Sequence, residues 1–115
     1  MATRIRHVEV TGRDGLALQR FYAELFDWTI NNDNPTKYGF VSPDEAGIDV
    51  GIGTTHDGSG GFVTYYAAVS DIDATLAKVA KLGGTTVMPK FSPGGGATLA
   101  LFADPEGHVI GLTEV

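Results

Sequence analysis

Cysteine is absent from the 115 residues. Its absence excludes a disulfide framework, thiolate catalysis and Cys-ligated zinc. Long apolar runs are missing too: nothing approaches the roughly 20 residues that span a bilayer. The opening Met1-Ala2-Thr3-Arg4-Ile5-Arg6-His7 carries no apolar secretory stretch. A cytoplasmic chain with no membrane partner is therefore expected. Positive charge is scarce, with 8 Lys and Arg against 14 Asp and Glu and a net charge of −6. Without a basic stripe, no nucleic-acid partner is expected, whereas an acidic balance suits cationic small molecules. The three histidines, His7, His56 and His108, have no zinc-site spacing. There is no G-x-G-x-x-G, and Gly94-Gly95-Gly96 lacks the Lys and helix of a phosphate loop. There is no G-x-S-x-G nucleophile elbow.

What is present suits one domain. Hydrophobic residues make up 43% and charged residues 19%, enough to bury a core at this length. The chain also repeats itself. Asp44-Glu45-Ala46-Gly47-Ile48-Asp49-Val50-Gly51-Ile52 lies over Asp104-Pro105-Glu106-Gly107-His108-Val109-Ile110-Gly111-Leu112, offset by 60 residues. The Asp, both Gly positions and the branched apolar positions coincide.

Each half orders its elements alike. His7-Val8-Glu9-Val10 precedes a helix capped by Asp14, with Leu18, Phe21, Tyr22 and Leu25 at the spacing of one buried stripe. Thr64-Tyr65-Tyr66-Ala67-Ala68-Val69 precedes a second helix that starts near Asp71, sets Ile72, Leu76 and Val79 on one face, and stops at Gly83-Gly84. Strands are expected at about 27–31, 38–42 and 48–53, then 85–88, 97–103 and 108–114. The turn-rich segments 31–35 and 92–96 separate them. The fold class is α+β: two βαβββ modules, about 4–53 and 62–115, joined by the flexible linker 54–61.

The residues His7-Val8-Glu9-Val10, Phe21-Tyr22, Val69-Ser70-Asp71-Ile72, Leu82-Gly83-Gly84 and Leu101-Phe102-Ala103-Asp104-Pro105-Glu106-Gly107-His108 resemble the vicinal oxygen chelate superfamily. That superfamily includes glyoxalases, bleomycin-resistance proteins and extradiol dioxygenases. The resemblance implies one 1–115 domain with a concave pocket, and a homodimer. Metal-dependent members place a ligand in the first and last strand of each module. Those places fall on His7, Gly51, Thr64 and Gly111. Only His7 is a good ligand, since Gly has no donor and a neutral hydroxyl is weak. The resemblance is therefore to members without the metal ligands: no metal and no cofactor are expected.

His7 is the candidate acid–base group, because imidazole titrates near neutrality. A strand histidine bonded to a neighbour is the competing reading. Glu9 shares the face of His7, and Tyr66 that of Thr64, by strand alternation. Tyr66 offers an apolar wall with one hydroxyl, and Phe91 precedes the Gly-rich segment. Trp28, Tyr38 and Phe40 are further candidate wall residues. The expected ligand-binding set is His7, Glu9, Thr64, Tyr66 and Phe91. The function that follows is metal-free small-molecule binding, of which sequestering an antibiotic or toxic metabolite is one form. The alternative is a metal-dependent or His-based lyase, isomerase or dioxygenase, and a third is a structural partner with a vestigial pocket.

Overall fold

A computed structural model describes residues 2–94 and 96–115. Gly95, inside the expected turn 92–96, lies outside the described residues, as does Met1. The chain divides into two compact units, His7–Val63 and Met1–Arg6 with Thr64–Val115.

The His7–Val63 unit takes strand β1 (Arg4–Gly12) from His7 onward, then helix α1 (Gly15–Phe26), strand β2 (Gly39–Val41), helix α2 (Pro43–Ala46) and strand β3 (Asp49–Thr54). The order is β2-β3-β1, with β1 parallel and β2 antiparallel to β3. Val8 pairs with Val50, Val10 with Ile52, and Val41 with Val50. Alternation puts these residues on one face, where Leu18 and Tyr22 of α1 close over them. Ile52 is fully buried there, and burying such a side chain stabilises by about 1.5–3 kcal/mol. The same alternation sends His7, Glu9, Phe40, Asp49 and Gly51 to the opposite face.

The stripe expected on α1 is only half buried. Leu18 and Tyr22 face the core, whereas Phe21 and Leu25 are exposed. A three-stranded sheet covers only part of the helix circumference. The Asp14 cap forms as expected, its Oδ1 accepting from Ala17 N–H at 3.0 Å. No strand forms over 27–31 beyond a single bridge from Asn31 to Phe40. Asp27 ends α1 in the left-handed conformation, and Trp28 and Ile30 use their apolar side chains on the core instead. Helix α2 was not expected. Pro43 at its first turn and Gly47 at φ 84° after its last are its local signals.

The other unit holds strand β4 (Val63–Val69), helix α3 (Ile72–Lys81), and strands β5 (Thr85–Gly94), β6 (Ala97–Ala103) and β7 (Val109–Glu114). Its order is β4-β7-β6-β5, with β4 parallel to β7 and the rest antiparallel. Ile72 and Leu76 of α3 meet Ala100 and Leu112, with Ala67, Val69 and Phe102 around them. Asp71 caps α3 by accepting from Ala74 N–H at 3.0 Å, and Gly83 takes φ 96° just past its end. β5 runs on to Gly94, well past the expected 88, despite Pro89 and Pro93. Its place at the end of the order, with three register shifts against β6, makes both prolines tolerable. Among the described residues no helix is long and apolar enough to cross a membrane.

Candidate functional site

The site builds from Gln19, a polar residue that is 4% exposed on α1. Its Nε2 donates to the Ile52 carbonyl at 2.8 Å and to the Lys37 carbonyl at 3.0 Å, while its Oε1 accepts from Asn32 Nδ2 at 3.0 Å. A buried amide must satisfy itself in this way, and doing so ties the 31–38 segment to α1 and β3. Asn34 then clamps the next residue at both backbone groups. Its Oδ1 accepts from Tyr38 N–H at 3.0 Å, and its Nδ2 donates to the Tyr38 carbonyl at 2.8 Å. Lys37, at φ 58°, turns the chain just before Tyr38, a conformation few non-glycine residues adopt.

So held, Tyr38 lies over β3 where two glycines leave room. A methyl group on Gly51 would fall on the Tyr38 hydroxyl, and one on Gly53 would come within 2.7 Å of its ring. Gly51 pairs with Glu9 on one side and Phe40 on the other. The Tyr38 hydroxyl therefore arrives beside Glu9 and donates to its Oε1 at 2.8 Å. His7 Nε2 lies 3.0 Å from the same hydroxyl. The phenol has one hydrogen, and it goes to Glu9. Hence His7 Nε2 carries the proton and donates to the phenol oxygen.

Charge and aromatic surface surround this chain of three groups. Burial holds the His7 imidazole below its ordinary value, while the Glu9 and Asp49 carboxylates pull the other way. Asp49 is the strand partner of His7. The Tyr38 ring lies near-parallel to the imidazole at 6.3 Å and edge-on to Phe40 at 4.9 Å. The face thus combines two carboxylates, a neutral imidazole, a phenol and an aromatic edge.

The expected residues divide between the units. His7 and Glu9 are joined through Tyr38. Thr64, Tyr66 and Phe91 lie in the other unit. Thr64 is buried and donates to the Val109 carbonyl at 2.7 Å. Tyr66 is buried, and its ring covers Gly111, its strand partner. Phe91 is half-buried in β5 opposite Leu99. His108 bonds Asp104 at 2.9 Å in an exposed turn, where the backbone N–H of His108 holds the Asp104 carboxyl below its usual range. Sequence reasoning gave Tyr38 only the role of a wall and passed over Gln19. The available signal was Gly51 and Gly53 at alternate positions, opening one face beside Glu9.

The donors do not fit the metal centre that the superfamily resemblance implies. Tyr38 fills the space a side chain at position 51 would use, and Tyr66 does so at position 111. The Thr64 hydroxyl is directed at a carbonyl. Among the described residues no group of three or more His, Asp or Glu is placed to hold a metal ion.

Residues 7–113 match the family model described as a glyoxalase-like domain. The chain belongs to that family. The "Putative glyoxylase CFP32" of Mycobacterium tuberculosis is 30% identical over 120 residues, covering 91% of this chain and 43% of that protein. The same-named protein of Mycobacterium bovis matches equally. The chain thus spans less than half the length of these curated relatives. A glyoxalase/bleomycin resistance protein/dioxygenase superfamily member from Vibrio splendidus 12B01 superposes with TM-score 0.65 at 20% identity, covering 99% of this chain and 100% of that one. The methylmalonyl-CoA epimerase of Mycobacterium tuberculosis superposes at 0.68 with 14% identity, covering 96% and 86%. At such identities the likeness is one of fold.

Proposed function

We propose that this chain is a metal-free small-molecule-binding protein of the glyoxalase/bleomycin-resistance type, with its ligand on the face that carries His7, Glu9 and Tyr38. One observation carries the reading: the Tyr38 hydroxyl stands over Gly51 and is bonded to both Glu9 and His7. A polar cluster set among aromatic surface is the usual composition of a ligand site. The two nearby carboxylates favour a ligand bearing positive charge. Sequestration of an antibiotic or toxic metabolite fits such a site. The exposed Phe21, Leu25 and Phe26 of α1 support a homodimer, which light scattering of the eluted protein tests.

The test is a thermal-shift screen of cationic and neutral aromatic compounds on chelator-treated protein. A ligand at 100 times its Kd should stabilise the fold by about 2.7 kcal/mol. The shift should shrink in Glu9→Gln and in Tyr38→Phe. Compounds that stabilise both variants as well as the wild type would place the ligand elsewhere.

The second reading is a His-based lyase or isomerase. The neutral imidazole favours it: with Nε2 donating to the phenol, Nδ1 is the nitrogen that can accept and return a proton. Turnover that survives chelation and disappears in His7→Ala would decide for the enzyme.

A further inference from the structure

The geometry points to Tyr38 and Gly51 as a coupled pair that keeps divalent cations off the His7–Glu9 face. This inference rests on the metal-free reading above and gives its cause. His7 and Glu9 alternate on β1, so both side chains leave the same face of the strand. Gly51 is the strand partner of Glu9. A carboxylate at position 51 would therefore stand directly beside that of Glu9, with one imidazole two residues along. Three such donors are what a divalent ion needs from protein in an open site. Two are in place and the third is a glycine.

Tyr38 adds the second half of the exclusion. Its hydroxyl fills the volume that the first carbon of a side chain at position 51 would take. Rotation of that side chain brings no relief, because the clash begins at Cβ. The tyrosine cannot drift away without cost either. Asn34 bonds its backbone at both ends, and its hydroxyl holds the very groups, Glu9 Oε1 and His7 Nε2, that a cation would recruit. The phenol does by hydrogen bonds what a cation would do by coordination: it draws a carboxylate and an imidazole to one point. A neutral hydroxyl at that point leaves the negative charge of Glu9 and Asp49 available to an organic ligand.

The experiment is Co2+ titration by calorimetry on chelator-treated, full-length protein, with folding checked by circular dichroism. The proteins are wild type, Tyr38→Ala/Gly51→Glu, and that double variant with His7→Ala added. We expect no site in the wild type. The double variant should bind one equivalent about 100-fold or more tighter than any residual wild-type binding, and adding His7→Ala should remove that gain. Tyr38→Ala/Gly51→Asp offers a shorter carboxylate should the Glu variant not fold. Equimolar binding by the wild type would overturn both this inference and the metal-free reading. A wild type without a site, beside a folded double variant that also binds nothing, would overturn this inference alone.

Discussion

Each unit carries a glycine in its last strand with a tyrosine ring laid over it, and the two tyrosines do different work. Tyr66 comes from β4, the strand hydrogen-bonded to β7, and meets Gly111 through the ring atoms Cγ, Cδ2 and Cε2. It is 7% exposed and acts as core. Tyr38 comes from the segment before β2 and reaches Gly51 with its hydroxyl first. It is half-buried and joined to Glu9 and His7. The same Gly–Tyr device therefore lays a ring flat on its glycine in one unit and brings a hydroxyl to a carboxylate in the other. What differs is where the ring is anchored: a strand neighbour fixes a ring flat, whereas a loop can aim its tip.

The buried polar residues differ in the same sense. Gln19 makes three hydrogen bonds that hold the Tyr38 segment, while Thr64 makes one strong bond to Val109. Gln19→Leu should therefore cost about 3 kcal/mol in urea denaturation, since it strands buried carbonyls, and it should also abolish ligand-induced stabilisation. Gly111→Ala should cost nearly as much, about 3 kcal/mol, because Tyr66 cannot retreat within its strand. Gly51→Ala should cost less, about 1–2 kcal/mol, since the Tyr38 side chain can turn aside on its clamped backbone at the cost of its bonds to Glu9 and His7. Equal costs at the two glycines would end the distinction between core ring and aimed ring. Thr64→Val should cost about 1 kcal/mol and leave ligand binding unchanged.

The smallest effect concerns pH. Burial lowers the folded-state pKa of His7, so below its ordinary value the unfolded chain takes up a proton more readily than the folded one. Stability is then complete above that value and falls as pH drops through the window beneath it. Between about pH 7.5 and about pH 5.5, the urea midpoint should fall further for wild type than for His7→Gln. A parallel fall in both proteins would show that carboxylates alone set the acid limb.

Local signals proved legible where the physics is local. Asp14 and Asp71 cap their helices, Gly83 ends α3, and the period-two pattern of Val8 and Val10 marks a strand with one apolar face. The 60-residue repeat also held at its two glycine turns, Gly47 at φ 84° and Gly107 at φ 91°. It failed just before each of them. Asp44 to Ala46 wind into α2, whereas Asp104 to Gly107 form a turn closed by Asp104 N–H to the His108 carbonyl at 3.0 Å. Similar residues took different paths because Pro43 starts a helical turn in the first copy and Pro105 stands one residue past the Asp in the second.

The candidate site was legible only in part, for the same reason. His7 and Glu9 share a strand, so alternation alone sets them side by side. Tyr38 is 29 residues beyond Glu9 in the chain, and nothing local says that its hydroxyl will reach that carboxylate. The sequence by itself determined most of the strands, the caps, the family and the absence of side chains at positions 51 and 111. Only the tertiary structure decided what fills those two spaces. Strand pairing set Glu9 beside Gly51, and the buried amide of Gln19 had to find partners on distant segments. Such contacts depend on where the folded backbone leaves room, which no short stretch of sequence encodes.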